Sequence, residues 1–321
     1  MKKVNTPSIL RYSLFGFLVL TLGLTACSPN ATSTALPETA TIPATEQTSK
    51  VTFTSAVPTA TVSADFQQKL EEGKALIESG EIEKAIQIFD QIIASDPQDA
   101  SAYVQRAIAK SIQNDYEAAL ADFNKAVELR PQDAIIVNTR GRFFAGYGKY
   151  EEALADFEKA IQLDPNYTSA YVNRANIFAD MGEYEKALAD YNKALELKGE
   201  LADIYYNRGT TYGLMGQFDQ AVEDFRKYIE LAPDDPWGYY RLAGAYAELG
   251  DLDTALFNIN KAIEILPDEA EIYFLRGLIY AQKRLVSNAI ADFQKVIEIS
   301  ENEDLDAQAQ EWITFLQSNP Q

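Results

Sequence analysis

Five arginines and five aspartates recur at a fixed spacing that suits ion pairing. Counted from Phe66, the sequence repeats every 34 residues, and five of seven copies carry Arg at position 7 with Asp at position 23. The other two copies carry neither residue: Glu72 accompanies Ile88, and Leu242 accompanies Asn258. Because both positions adjoin packing positions, we predict structural ion pairs, and breaking one would leave an uncompensated charge. The alternative is that the arginines line a binding site. The pairs are Arg106 with Asp122, Arg140 with Asp156, Arg174 with Asp190, Arg208 with Asp224, and Arg276 with Asp292.

Composition argues against most catalytic chemistry. The sequence has no histidine and one cysteine, which excludes proton transfer by histidine, histidine-containing metal sites and cysteine clusters. No repeat adds an acid, serine or lysine constellation to the general pattern. We therefore predict no enzyme activity, cofactor or metal. The net charge is -20, and the residues after 65 carry -21 of it against +1 for residues 1–65, which disfavours nucleic acids as partners.

Residues 1–26 have the features of a secretory signal peptide, with a basic start and an apolar core too short to span a bilayer. Leu24–Cys27 resembles the lipobox of bacterial lipoproteins. That resemblance implies that Cys27 is acylated and becomes the first mature residue, since two acyl chains anchor a protein stably. We then expect an extracytoplasmic protein on the cell surface or the periplasmic face of a bacterial membrane. The alternative is a cysteine beside an ordinary cleavage site.

Residues 27–62 are rich in Thr, Ala, Ser and Pro and contain few large apolar side chains. Such a segment cannot bury enough apolar surface to fold, so we predict a disordered tether. As a flexible coil it would reach about 30 Å. The folded body could therefore stand away from the membrane.

The repeat region, residues 63–303, predicts seven helical hairpins. Position 8 is small, position 20 is alanine and position 24 is large and apolar, which lets two helices approach closely beside a bulky side chain. Glycine at position 15 and proline at position 32 end the two helices. Residues 304–321 have helical periodicity and would cap the last hairpin. The units are 66–99, 100–133, 134–167, 168–201, 202–235, 236–269 and 270–303.

These residues resemble the tetratricopeptide repeat (TPR). The resemblance implies an all-α, right-handed superhelical solenoid of seven hairpins with a capping helix. It also implies that positions 2, 5, 6, 9, 12 and 13 of each first helix face a ligand in a concave groove. Unit 7 places Phe274, Leu275 and Leu278 there. The predicted groove residues of the other units are Asn138, Arg142, Asn173, Asn176, Tyr206, Asn207, Thr210, Trp237, Tyr240 and Arg241.

Asparagines in this set can bond an extended peptide backbone, while the aromatic residues supply pockets. Asn176, Asn207 and Arg241 match three of the five positions of the carboxylate-clamp subclass of TPR proteins. The other two, lysines in that subclass, are Val172 and Trp237, which weighs against carboxylate capture. The alternative is that these side chains are tolerated on a solvated helix face.

Taken together, these features predict a membrane-anchored, extracytoplasmic TPR scaffold. It would bind a protein or extended peptide in its groove and assemble or localise a cell-envelope complex. The competing hypothesis is an envelope receptor for a small molecule or glycan, because Tyr206, Trp237 and Tyr240 could stack on a sugar.

Overall fold

The computed structural model describes residues 64–319, and fifteen α-helices make up this part of the chain, with no strand among them. The predicted signal peptide, Cys27 and the predicted tether lie outside the described residues. The helices are α1 Ala64–Glu78, α2 Ile82–Ser95, α3 Ala100–Ile112, α4 Tyr116–Leu129, α5 Ala134–Gly146, α6 Tyr150–Leu163, α7 Thr168–Asp180, α8 Tyr184–Lys198, α9 Ala202–Leu214, α10 Phe218–Leu231, α11 Pro236–Glu248, α12 Leu252–Ile265, α13 Ala270–Gln282, α14 Val286–Ile299 and α15 Glu303–Ser318. The predicted all-α class is confirmed.

Two compact units make up the described part, residues 64–147 and residues 148–319. The first contains the hairpins α1/α2 and α3/α4, followed by α5. The second contains α6, then the hairpins α7/α8, α9/α10, α11/α12 and α13/α14, and finally α15. Each hairpin of the second unit packs on the next one in chain order.

The turn inside each hairpin uses a left-handed residue to end the first helix. Five glycines adopt this conformation, for example Gly216 with φ 72°. Asn114 and Arg284 adopt it too, with φ 59° and 60°, at the same repeat position. Arg284 therefore departs from the repeat in residue type and keeps its backbone conformation, at the steric cost that glycine avoids.

The small and large positions of the repeat form the core of each hairpin. Ala221 and Phe225 of α10 are fully buried against α9. In α13, a Cβ added to Gly277 would lie 2.8 Å from Cε1 of Phe293, so the glycine permits the close approach of α13 and α14. These local rules position the side chains discussed below.

The last helix covers the apolar end of the final hairpin. Trp312 of α15 stacks on Phe293, with ring centroids 5.9 Å apart. Phe274 and Leu278 pack in the same cluster, and Leu275 is buried in the neighbouring one. The expectation that these three side chains of unit 7 line an open groove is therefore wrong, because α15 and the adjoining helices bury them.

The described residues contain neither a membrane-spanning helix nor a metal-binding cluster. Between residues 64 and 319, no helix combines the length and apolar character needed to cross a membrane. The same part of the chain contains no cluster of three or more side chains suited to holding a metal ion.

Candidate binding site

Four of the five predicted arginine–aspartate pairs are in contact. Arg208 donates from Nε to Oδ2 of Asp224 over 2.8 Å and from Nη2 to Oδ1 over 2.7 Å. Arg106, Arg174 and Arg276 bind their aspartates through the same two nitrogens. Hydrogen bonding to Asp224 raises the pKa of the Arg208 guanidinium above its usual range. Arg140 and Asp156 belong to different compact units, and their pairing stays a prediction.

The remaining guanidinium nitrogen reaches the preceding hairpin in several repeats. Nη1 of Arg208 donates to Asn192 over 2.6 Å, and Nη1 of Arg276 donates to Asn260 over 2.8 Å. The Arg208 guanidinium also lies 5.6 Å from the ring centroid of Tyr205. All three nitrogens of Arg208 thus have partners within the fold, which supports a structural role. The partner at position 25 of the preceding repeat was not predicted from the sequence, although polar residues recur at that position.

The hairpin α11/α12 departs from this scheme. It has Leu242 and Asn258 where five of the other six repeats have arginine and aspartate. An arginine stands instead at position 25 of the preceding hairpin: Arg226 donates to the hydroxyl oxygen of Tyr246 and lies 5.6 Å from the centroid of its ring. The cationic side chain thus sits on the other side of the junction between α10 and α11.

Side-chain size is also inverted at this junction. Between the fourth and fifth hairpins, Ala194 of α8 packs with Ile204 of α9. At the equivalent positions of the next junction stand Tyr228 of α10 and Gly238 of α11, where an added Cβ would lie 2.7 Å from Cδ1 of Tyr228. The hydroxyl of Tyr228 donates to the carboxylate of Asp235, the residue that caps α11. Burial, together with this bond, raises the pKa of Tyr228 above its usual range.

Tyr228 connects this inverted packing to Arg241. The rings of Tyr228 and Tyr206 lie 5.0 Å apart, and Nε of Arg241 donates to the Tyr206 hydroxyl over 3.1 Å. The Arg241 guanidinium also lies 5.7 Å from the Tyr206 ring centroid. Trp237 packs edge-on against Tyr240, with centroids 5.4 Å apart. We call Tyr206, Tyr228, Trp237, Tyr240 and Arg241 the junction cluster.

Arg241 differs from Arg174, Arg208 and Arg276 in its burial and in its hydrogen-bond partners. It is buried, with 5% of its surface exposed, and it is the only arginine among residues 64–319 that is buried to this degree. Its Nη1 is out of contact with solvent and has no hydrogen-bond partner in that part of the chain. Among the described residues, its one hydrogen bond is the one that Nε donates to the Tyr206 hydroxyl oxygen. A buried cation without a carboxylate is destabilising, which marks this arginine for a role beyond packing.

The asparagines at the clamp positions bind each other. Oδ1 of Asn176 accepts from Nδ2 of Asn207 over 3.2 Å and from the Tyr191 hydroxyl over 2.6 Å. Burial raises the pKa of Tyr191 above its usual range, so this phenol stays a donor. The amide oxygen of Asn176 is therefore already used within the fold. Thr210 binds its own helix, donating to the carbonyl of Tyr206 over 2.9 Å.

The ten predicted groove residues are divided between the two compact units. Asn138 and Arg142 lie in the first compact unit, and the other eight lie in the second. Asn138 and Tyr240 are buried, with 3% and 2% of their surfaces exposed, so neither presents an open face to solvent. Within the second unit the structure brings Tyr206 and Arg241 together, as well as Asn176 and Asn207. Asn173 is half-buried on α7.

Sequence reasoning missed Tyr228, Gly238 and Arg226. The size inversion at the first two was visible, because other repeats place small or medium aliphatic residues where Tyr228 stands and larger ones in most places where Gly238 stands. Arg226 likewise breaks a mostly polar, uncharged column. No sequence signal indicates that Arg241 is buried without an acidic partner, since that depends on the surrounding packing.

Family models agree with the hairpin architecture. A model described as TPR repeat matches residues 147–182, 175–216 and 244–283. Models described as tetratricopeptide repeat match residues 74–143, 202–235, 225–257 and 270–303. Together they extend over both compact units. No curated protein sequence matches this chain.

Solved structures of TPR proteins share the fold. The protein YrrB, described as a TPR protein with an unusual peptide-binding site, is 28% identical, with a TM-score of 0.50 over 59% of this chain and 97% of its own. A tetratricopeptide repeat protein from Parabacteroides merdae is 19% identical, with a TM-score of 0.58 over 78% and 98%. MamA from Desulfovibrio magneticus is 23% identical, with a TM-score of 0.51 over 53% and 97%. The chain belongs to the tetratricopeptide-repeat family, because family models match most of its hairpins and solved structures of such proteins share its fold.

Proposed function

We propose that this chain is a TPR scaffold that binds an extended segment of another protein at the junction cluster. The observation that carries the proposal is the convergence of repeat-breaking residues on one place. Tyr228 and Gly238 depart from the pattern of the other hairpins, and Tyr228 packs on Tyr206, which accepts a hydrogen bond from Arg241. Departures that served packing alone would not need to leave a buried cation uncompensated. The peptide-binding site described for YrrB supports the same class of ligand.

The chemistry of the cluster suits a peptide. Trp237 and Tyr206 are half-buried, so each presents part of an aromatic ring, and aromatic residues with arginine dominate protein–protein contact energies. The glycan hypothesis proposes that Tyr206, Trp237 and Tyr240 stack on a sugar. Tyr240 is buried and offers no open ring face, which removes one of these three residues as support for that hypothesis.

The proposal extends to location. Anchoring rests on the signal-peptide features of residues 1–26 and on Cys27, all of which lie outside the described residues. We propose that Cys27 carries lipid and holds the scaffold on the extracytoplasmic face of a bacterial membrane. There it would assemble or localise a cell-envelope complex.

A fractionation experiment tests the anchor. Cys27→Ala removes the acylated thiol, so we expect the protein to leave the membrane fraction, because a cleaved and unacylated chain has no apolar anchor. Arg11→Gln, which changes the leader and leaves the thiol intact, is the control and should stay with membranes. Unchanged membrane association of Cys27→Ala would contradict lipidation.

A capture experiment tests the binding site. The full chain, immobilised and exposed to solubilised envelope proteins, should retain a stoichiometric protein partner, and Trp237→Ala should reduce retention about tenfold. Phe257→Ala is the matched control, because Phe257 is 63% exposed on α12 and is not part of the junction cluster. Equal retention by both variants would refute the site. Retention of glycan without protein would instead support the receptor hypothesis.

A further inference from the structure

Asn176 and Asn207 bind each other between the fourth and fifth hairpins, and each keeps one polar atom in contact with solvent. Oδ1 of Asn176, on α7, accepts from Nδ2 of Asn207, on α9, over 3.2 Å. Both side chains are half-buried, and no hydrogen bond within residues 64–319 uses Nδ2 of Asn176 or Oδ1 of Asn207. Neither atom is among the solvent-shielded atoms of that part of the chain that lack a partner. Solvent therefore reaches both of them.

The Tyr191 hydroxyl orients the two amides. It donates to Oδ1 of Asn176 over 2.6 Å, and burial raises the pKa of Tyr191 above its usual range, so the phenol stays protonated. Five other repeats have phenylalanine at this position and one has isoleucine, so the hydroxyl is specific to the fourth hairpin. Because Oδ1 of Asn176 accepts both bonds, Nδ2 is the atom of Asn176 left for a ligand, and Asn207 is left with its acceptor.

The pair thus presents one donor and one acceptor side by side. The bond between the two amides holds these atoms within about 8 Å of each other, a distance that one ligand amide spans with a hydrogen bond at each end. Turning both amides over would exchange the two roles and still leave one donor and one acceptor. This combination complements a group that has both an N–H and a C=O. A carboxylate only accepts at neutral pH, so one of its oxygens would face Oδ1 of Asn207.

We infer that the pair of Asn176 and Asn207 binds an amide group of the partner segment and disfavours a carboxylate at the same place. The inference rests on the proposed peptide-binding function and specifies its chemistry, since Asn207 follows Tyr206 of the junction cluster in α9. Nδ2 of Asn176 donates to the amide oxygen, and Oδ1 of Asn207 accepts from the amide nitrogen. The amide belongs either to the main chain or to an Asn or Gln side chain. The chain's net charge of -20 also disfavours an anion here.

Peptide selection on the full chain tests the inference. Random-sequence peptides are selected, and those that bind Trp237→Ala more weakly are kept, because they use the junction cluster. Each is resynthesised with its main-chain amides N-methylated one at a time, and with each Asn or Gln replaced by Asp or Glu. We expect one such change to weaken binding at least about tenfold, because it removes the N–H group or puts an acceptor in its place. An N-methyl effect identifies a main-chain amide, and an acid effect identifies a side chain.

Variants then assign the effect to the pair. Asn176→Asp replaces the donor by a carboxylate oxygen, so the unmodified peptide should bind about tenfold more weakly and the critical change should lose its further effect. Asn288→Asp makes the same substitution at an exposed position of α14 and should leave both affinities unchanged. If Asn176→Asp does not fold by circular dichroism, Tyr191→Phe replaces it. Loss of the hydroxyl releases the Asn176 amide and should reduce the same preference, and most repeats have phenylalanine at this position.

The outcomes separate the inference from the proposed function. Binders that depend on Trp237 and tolerate every N-methylation and every acid replacement would overturn the inference and leave the proposed function standing. A preference that persists undiminished in Asn176→Asp, or in Tyr191→Phe where that variant is used, would overturn it as well. A selection that yields no binder dependent on Trp237 would contradict both.

Discussion

The fifth hairpin, α9/α10, and the sixth, α11/α12, place an arginine one position apart with opposite consequences. Arg208 of the fifth meets Asp224 through two bonds and Asn192 through a third. Arg241 of the sixth has a phenol as its hydrogen-bond partner and an unpaired Nη1 within the described residues. The residue type is the same, and Arg241 is the more buried of the two. A carboxylate within reach distinguishes Arg208, whose guanidinium is bound within the fold, from Arg241.

The two junctions that flank the fifth hairpin differ in which helix supplies the larger side chain. Between the fourth and fifth hairpins a small residue of α8, Ala194, meets a larger one, Ile204. Between the fifth and sixth the order is reversed, with Tyr228 against Gly238. Only the second arrangement places an aromatic ring against Tyr206.

The largest expected effect comes from breaking the ion pair of the fifth hairpin. Asp224→Ala leaves Arg208, whose side chain is 18% exposed, without its carboxylate, and should lower the free energy of unfolding by about 3 kcal/mol. Urea denaturation followed by circular dichroism measures the change.

A double variant provides the control for this prediction. Arg208→Leu with Asp224→Asn copies Leu242 and Asn258 of the sixth hairpin and should recover most of the lost stability, because no charge remains buried. Additive losses from the two single substitutions would show that Arg208 and Asp224 are not energetically coupled.

A smaller effect should follow from restoring a side chain at the inverted junction. In Gly238→Ala the new Cβ would lie 2.7 Å from the Tyr228 ring, which is also held through its hydroxyl by Asp235. We expect a loss of about 2 kcal/mol in the free energy of unfolding. Adding Tyr228→Ala should relieve the overlap and restore stability while weakening peptide binding. If Gly238→Ala is as stable as the unmodified chain, the close packing of Tyr228 on Gly238 does not contribute to the free energy of unfolding.

The smallest expected effect concerns Arg226. Arg226→Asn restores the residue type found at this position in the fourth and sixth hairpins, and removes the contact with Tyr246. Because Arg226 is exposed, we expect the free energy of unfolding to fall by no more than about 1 kcal/mol. Thermal unfolding measures this change. A loss of several kcal/mol would mean that the contact between Arg226 and Tyr246 stabilises this junction as strongly as an arginine–aspartate pair would.

Most of the fold follows from local sequence patterns. The spacing of Ala221 and Phe225 within a repeat predicts the hairpin, because small and bulky positions decide how closely two helices approach. The turn residues follow from backbone sterics, and Arg284 shows that the turn persists even with an unfavourable residue. The pairing of Arg208 with Asp224 was also accessible, because two residue types that vary together across repeats imply contact.

The site was predictable only in part. Arg241, Tyr206 and Trp237 were identified from their repeat positions, yet those positions indicated an exposed face and gave no sign that Arg241 is buried. Burial depends on the neighbours that surround a side chain, and those neighbours come from two hairpins. Likewise, nothing in the sequence indicates that Asn176 and Asn207 bind each other, since that depends on rotamers of both residues.

The position of each arginine and its aspartate within a single hairpin has an evolutionary consequence. Duplicating or deleting one 34-residue block adds or removes a complete pair, so the number of repeats can change without stranding an ion in the interior. The fifth and sixth hairpins cannot be duplicated or deleted separately in this way, because they contact each other through specific side chains. Tyr228 requires Gly238 as its neighbour, and Arg241 requires Tyr206, so recombination that separates these two blocks would lose both contacts. We expect them to be inherited as one cassette while the array around them grows or shrinks.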